Sequence, residues 1–144
     1  MGIWRHPIDL QRINAAGSTC MVGHLGMAVT QVGDDFLRGT MPVDARTRQP
    51  FGLLHGGASV ALAESLGSLA GNLCLGPDEM AVGLDINANH LRAVTDGTVT
   101  GTARPLHLGR STQVWEIRIE DEAERLVCIA RLTLAVVPRS PAPA

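Results

Sequence analysis

The chain has 144 residues, a length that favours one domain around one core. Apolar residues make up 45% of it, and 14 acids against 12 bases give a net charge of −2, which leaves no broad basic footprint for nucleic acid. No stretch reaches the length and uniformity of a membrane span. The opening Met-Gly-Ile-Trp-Arg-His-Pro-Ile-Asp lacks an apolar signal core, and His6 stands where a myristoylation pattern needs Ser or Thr. Cys20, Cys74 and Cys128 are an odd, widely spaced set without Cys-x-x-Cys. They are expected to be reduced, buried thiols of a cytoplasmic protein.

Pro7 to Ala16 sets Ile8, Leu10 and Ile13 among polar residues, which predicts a short amphipathic helix closed by Gly17 and covering one end of the core. Cys20 to Leu25 reads as a further turn of helix, with His24 a structural histidine rather than a wall of a site. From Met27 the period changes to that of strands. Met27–Val32 and Phe36–Val43 are expected to form a hairpin around Gly33-Asp34-Asp35. A loop from Asp44 to Gly52 follows, whose Arg46 and Arg48 read as surface charges.

From His55 an Ala- and Leu-rich run without proline extends to Gly71-Asn72 or a little later to Gly76-Pro77, a helix of about five turns with His55-Gly56-Gly57 at its start. It is apolar nearly all round, so it is expected to be buried. Past Gly76-Pro77 come Met80–Val94, a hairpin signal at Asp96-Gly97, the alternating run from Thr98 to Arg104, Gln113–Glu120, a charged turn at Asp121–Arg125, and Leu126–Val137. Two strands, one helix and four further strand segments predict an α+β domain, an antiparallel sheet wrapped around one long helix. Residues 1–137 are read as that single domain and 138–144 as a disordered tail. A sheet covered by one helix leaves open edges, which favours pairing with another copy.

One residue of the helix resists burial. Glu64, among Ala61, Leu62, Ala63 and Leu66, is a lone carboxylate in apolar company, the setting of a general base or nucleophile. Ser68 shares its face at i+4, and the helix start offers unpaired N–H groups and a positive dipole end able to hold an oxyanion. Glu64 pointing to solvent and His55 acting only as a cap are the plain structural alternatives. No His-x-x-x-His or cysteine cluster is present, so no metal site is expected.

The ordered set Gln49, His55-Gly56-Gly57, Glu64, Ser68 and Asn89-His90 resembles the hotdog-fold acyl-CoA thioesterases. So do Ile86-Asn-Ala-Asn-His-Leu-Arg92 and Pro105-Leu-His-Leu-Gly-Arg-Ser111, and the likeness runs from about Trp4 to Val137. It is greatest to the branch of 1,4-dihydroxy-2-naphthoyl-CoA hydrolase, the aryl-carrier-protein proofreading thioesterase and one type of 4-hydroxybenzoyl-CoA thioesterase. The resemblance implies a hotdog fold and hydrolysis of a thioester, its acyl group aromatic, with Glu64 as nucleophile or base. It gives the Gly56 N–H the task of polarising the carbonyl, Gln49 and His55 that of orienting the carbonyl or the water, and Ser68 that of holding the water or the acyl ring. It assigns Gly83, the run Asn89, His90, Leu91, Arg92 and Ala93, and the run His107, Leu108, Gly109, Arg110, Ser111 and Thr112 to the pantetheine and nucleotide groove. Coenzyme A then belongs to the substrate, no separate cofactor is needed, and the thiol carrier is either coenzyme A or an acyl or aryl carrier protein. Assembly would be a homo-oligomer, a dimer or a dimer of dimers (a homotetramer), with active sites between subunits. A hydroxyacyl-thioester dehydratase and a non-catalytic acyl-CoA sensor are the competing readings, and Gln49 with a mid-helix Glu64 fits the thioesterase layout better than either.

Overall fold

The computed structural model describes residues 2–140. Two short helices, α1 (Leu10–Gly17) and α2 (Met21–His24), precede strands β1 (Ala28–Val32) and β2 (Leu37–Pro42). Helix α3 (Gly56–Leu73) leads into β3 (Glu79–His90), β4 (Thr98–Leu108), β5 (Thr112–Glu120) and β6 (Leu126–Pro138). All six strands form one sheet in the order β1-β2-β4-β5-β6-β3, every pairing antiparallel. The α+β expectation of a sheet around one helix holds.

Along β4 and β5 buried and part-exposed residues alternate, so Val99, Ala103, Trp115, Ile117 and Ile119 point at α3. Register partners Gly39 and Gly101 leave a notch on β2 and β4, and a Cβ on either would stand 2.7 Å from a methyl of Leu66. That notch seats the helix. Leu62 and Leu66, 0% and 4% exposed, each contribute about 2–3 kcal/mol by burial there. Gln113 is a buried polar group that finds partners: it accepts from Trp115 Nε1 at 2.9 Å and donates to Gly71 O at 3.3 Å. Trp4 stacks on Trp115 at 6.4 Å, and Trp115, 0% exposed, offers no ring-stacking surface to a ligand. The amphipathic first helix buries none of its residues. Instead Asn14 ties it to β1 by two bonds to the Val29 backbone, at 2.9 and 2.8 Å.

Four expectations need correction. Asp96-Gly97 is a turn, with Gly97 at φ +77, but it joins no hairpin: β3 pairs with β6 at the sheet edge and β4 pairs with β2 and β5. The chain crosses between them, and a two-residue signal cannot tell a turn from a crossover. Helix α3 is buried on one side only; Val60, Ala61, Glu64, Ser65, Ser68 and Leu69 are part-exposed, because the sheet covers a single face. Cys20 is exposed and donates to Gly17 O, whereas Cys74 is partly buried and its thiol pushed up to about 11 by desolvation. The tail begins later than Pro138, which still pairs with Glu79, and the Arg139 N–H donates to Asp78 O at 2.8 Å. Residues 141–144 lie outside the described residues.

The glycine notch generates a stability prediction. Gly101→Val should cost about 1–3 kcal/mol in urea unfolding through overpacking against Leu66. Combined with Leu66→Ala it should cost less than the sum of the two single changes. Strict additivity would show that the notch does not seat the helix.

Candidate active site

Four N–H groups at a helix start have no partner within the helix. In α3, His55 is the N-cap, and its Nδ1 accepts from the Gly57 N–H at 2.7 Å. Ala58 and Ser59 both donate to the His55 carbonyl, at 3.0 and 3.2 Å. The Gly56 N–H is left without an acceptor among the described residues. His55 is therefore a cap whose ring nitrogen Nδ1 carries no proton, leaving Nε2–H as its donor.

That N–H borders a cavity of about 430 Å³. Gln49, Leu53 and Leu54 wall it from the loop, Gly56 and Ser59 from the helix, His90–Ala93 from the end of β3, and Val127 from β6. Gln49 is held by a tight turn. The Gly52 N–H donates to Gln49 O at 2.9 Å, Pro50 sits second in the turn, and Gly52 has φ +82. The Phe51 N–H donates to Gln49 Oε1, which orients the amide and leaves Nε2 free to donate. Upstream, Arg46 is bound to Asp44 at 2.7 Å, and this hydrogen bond holds the Asp44 carboxyl below the usual carboxylate range. Arg48 donates to Thr95 O at 2.9 Å. These bases fasten the loop, as expected of surface charges.

Glu64 and Ser68 do not line this cavity. Glu64 follows Gly56 by eight residues, about 12 Å along the axis at 1.5 Å per residue. Its side chain is half-buried and lies over β3, where a Cβ added to Gly83 would stand 2.6 Å from Oε1. Gly83 is thus the floor beneath the carboxylate and not part of the Gln49 cavity. The turn holding Gly109, Arg110 and Ser111 closes with Gly109 N–H on Thr112 O at 2.9 Å. It stands near the start of β3, since Thr112 pairs with Ala135, which pairs with Val82. His90 lies seven residues beyond Gly83 on β3, about 23 Å away in an extended strand. Within one chain, the two clusters expected to line one groove therefore stand at opposite ends of β3. Asn89, next to His90, lies outside the cavity lining.

Sequence reasoning missed Leu53, Leu54, Ser59 and Val127. Leu53 and Leu54 directly precede His55 and were within reach of inspection; Val127 enters only through the β3–β6 register. Phe51, 89% exposed, stands at the tip of the Gln49 turn and is not part of the cavity lining. A second cavity of about 660 Å³ runs between α1 and the far flank of α3, beside Ser65, Leu66, Leu69 and Leu73. Among the described residues no group of three His, Cys, Asp or Glu side chains could hold a metal ion, and no helix is long and apolar enough to cross a membrane.

Residues 51–128 match the thioesterase superfamily model. The chain is 56% identical to the 1,4-dihydroxy-2-naphthoyl-CoA hydrolase of Escherichia coli K12, over 94% of this chain and 99% of that one. It is 53% identical to the proofreading thioesterase EntH of Cronobacter sakazakii, over 94% and 98%. The crystal structure of a Haemophilus influenzae thioesterase superimposes with a TM-score of 0.94 at 51% identity, covering 99% of each chain. A family model over half of the chain, relatives above 50% identity across nearly its whole length and a near-complete structural superposition agree: the chain belongs to the thioesterase superfamily, as a thioester hydrolase of the hotdog fold.

Proposed function

We propose that the chain hydrolyses acyl-CoA thioesters with an aromatic acyl group, in a site shared by two copies. The observation that carries this reading is the Gly56 N–H, left free at the positive end of α3 and facing a cavity beside Gln49. A thioester oxygen accepts from Gly56, and Gln49 Nε2 donates to the carbonyl or to the water. Glu64 then acts in one of two ways. As a base it takes a proton from water, whose oxygen attacks the carbonyl carbon; as a nucleophile it attacks directly and water opens the resulting anhydride. In both, the C–S bond breaks, the thiolate takes up a proton, and one water is consumed with no cofactor. Ser68 holds the water or the acyl ring. His55 fixes the Gly56-Gly57 turn and presents Nε2–H to the substrate.

A rigid helix cannot bring Glu64 to Gly56 of the same chain. Strand β3 offers the solution: it is an edge strand with Val82 and Leu84 exposed. Antiparallel pairing of β3 with its own copy would set the Gly83 end of one chain against the His90 end of the other. Glu64 of one copy then faces Gly56 of the second, and the turn of Gly109, Arg110 and Ser111 approaches Arg92 across the interface. Those arginines suit the phosphates of coenzyme A. The aromatic preference is supported by the naphthoyl-CoA hydrolase relative, and a carrier-protein thioester is the second reading, favoured by the proofreading relative. The cavity beside Leu69 supplies apolar volume for a ring. A cytoplasmic homo-oligomer, a dimer or a dimer of dimers, fits the three free thiols and the open edge.

Thiol release from benzoyl-CoA, 4-hydroxybenzoyl-CoA and a medium-chain acyl-CoA should favour the aryl substrates. Glu64→Ala should lose at least about a hundredfold in kcat; equal activity would remove Glu64 from the mechanism. Mixing Gln49→Ala with Glu64→Ala chains by co-expression should restore about a quarter of wild-type activity, because half of randomly formed dimers carry one intact site of two. No recovery would put the site within one chain. Gly83→Ala, which crowds the Glu64 carboxylate, should lower kcat about 10- to 100-fold with the melting temperature little changed.

A further inference from the structure

The tetrahedral oxygen carries a full charge and can accept from two or more donors, and Gln49 Nε2, offered to either the carbonyl or the water, leaves only the Gly56 N–H committed to it. We propose that His90 Nε2–H is the second donor, acting with the Gly56 N–H on the same oxygen. This rests on the thioesterase reading above and gives His90 a catalytic role in place of a nucleotide contact.

The geometry leads to it directly. The His90 ring lies against Gly56: a Cβ added there would stand 3.0 Å from Nε2, 3.2 Å from Cε1 and 3.4 Å from Cδ2. The ring therefore turns its Nε2 edge to the residue whose N–H is free. Both groups border the same cavity. Neither ring nitrogen of His90 has a hydrogen-bond partner among the described residues, so Nε2–H has nothing else to serve. The backbone beneath is fixed, since His90 is the last β3 residue paired with β6, opposite Cys128.

A nucleotide contact would not look like this. In coenzyme A the long pantetheine arm separates the thioester from the phosphates, so a ring touching the carbonyl's own donor meets the carbonyl end. Arg92, two residues on and exposed, is free to reach toward phosphate. The same contact explains the first glycine of His55-Gly56-Gly57: any side chain at Gly56 would push His90 away.

Three variants test the proposal with the full-length enzyme on benzoyl-CoA. His90→Phe keeps a ring against Gly56 and removes the donor; kcat should fall about a hundredfold with KM within about threefold of wild type. His90→Gln restores an N–H and should recover at least about tenfold of that loss. His90→Ala serves should the phenylalanine variant fail to fold. Normal kcat with a raised KM would make His90 a coenzyme A contact and overturn the proposal. Equal losses in the Phe and Gln variants, with lowered melting temperatures, would make it a packing residue and overturn it as well. Either result in an active wild type leaves the hydrolase reading standing; a wild type silent on every thioester would sink both.

Discussion

The fold depends on how closely α3 can approach the sheet. Leu66 fits between strands only where Gly39 and Gly101 face each other, and the strand residues around them are Val99, Ala103 and Ile117. This contact fixes the height and rotation of the helix. Rotation decides which residues face β3, and height decides where the helix begins relative to the end of that strand. The carboxylate over Gly83 and the free N–H beside His90 are both consequences of one packing arrangement. An interior this dense transmits such constraints, because small displacements cannot be absorbed by voids.

The helix start divides its donors in a particular way. A Ser or Asp cap would also have satisfied an N–H, but histidine reaches the second position, Gly57, with its near nitrogen. The carbonyl of the same residue takes the third and fourth. What is left is the first N–H, on a residue that lines the cavity. Glycine at that position admits the His90 ring, and glycine at the next admits the cap. Two adjacent glycines thus serve two imidazoles, one holding the turn and the other facing the cavity.

Much of this was legible in the sequence. Periodicity separated helix from strands, and the alternation from Thr98 to Arg104 and from Gln113 to Glu120 matched the inward and outward faces of β4 and β5. The His-Gly-Gly start and the isolated Glu64 were visible as residues that broke the pattern around them. Strand order was not legible. Asp96-Gly97 has the composition of a hairpin, yet its strands lie apart in the sheet, because pairing is decided by which edge remains open and not by the turn. Nor does the sequence show that Gly83 and the turn of Arg110 stand far from His90: one chain holds them at two ends of β3. Cys20 was misjudged for a simpler reason. Cysteine is usually buried, and only the position of α2 on the outside of the molecule exposes it.

The distance between Gly56 and Glu64 has a wider consequence under the proposed reading. A carboxylate and an oxyanion donor on one rigid helix cannot converge on one carbonyl when two turns of helix separate them. Loop motion does not help, since both groups belong to the helix itself. A two-fold axis does, because it reverses the direction of the second helix and brings its middle to the beginning of the first. The open edge of β3 and the part-exposed flank of α3 are then two aspects of one requirement. The sheet needs a partner to satisfy its unpaired backbone groups, and the helix needs the same partner to complete the chemistry. Half-burial of Glu64 in the single chain fits that arrangement: the carboxylate stays hydrated until a second copy, and then a substrate, removes the water around it.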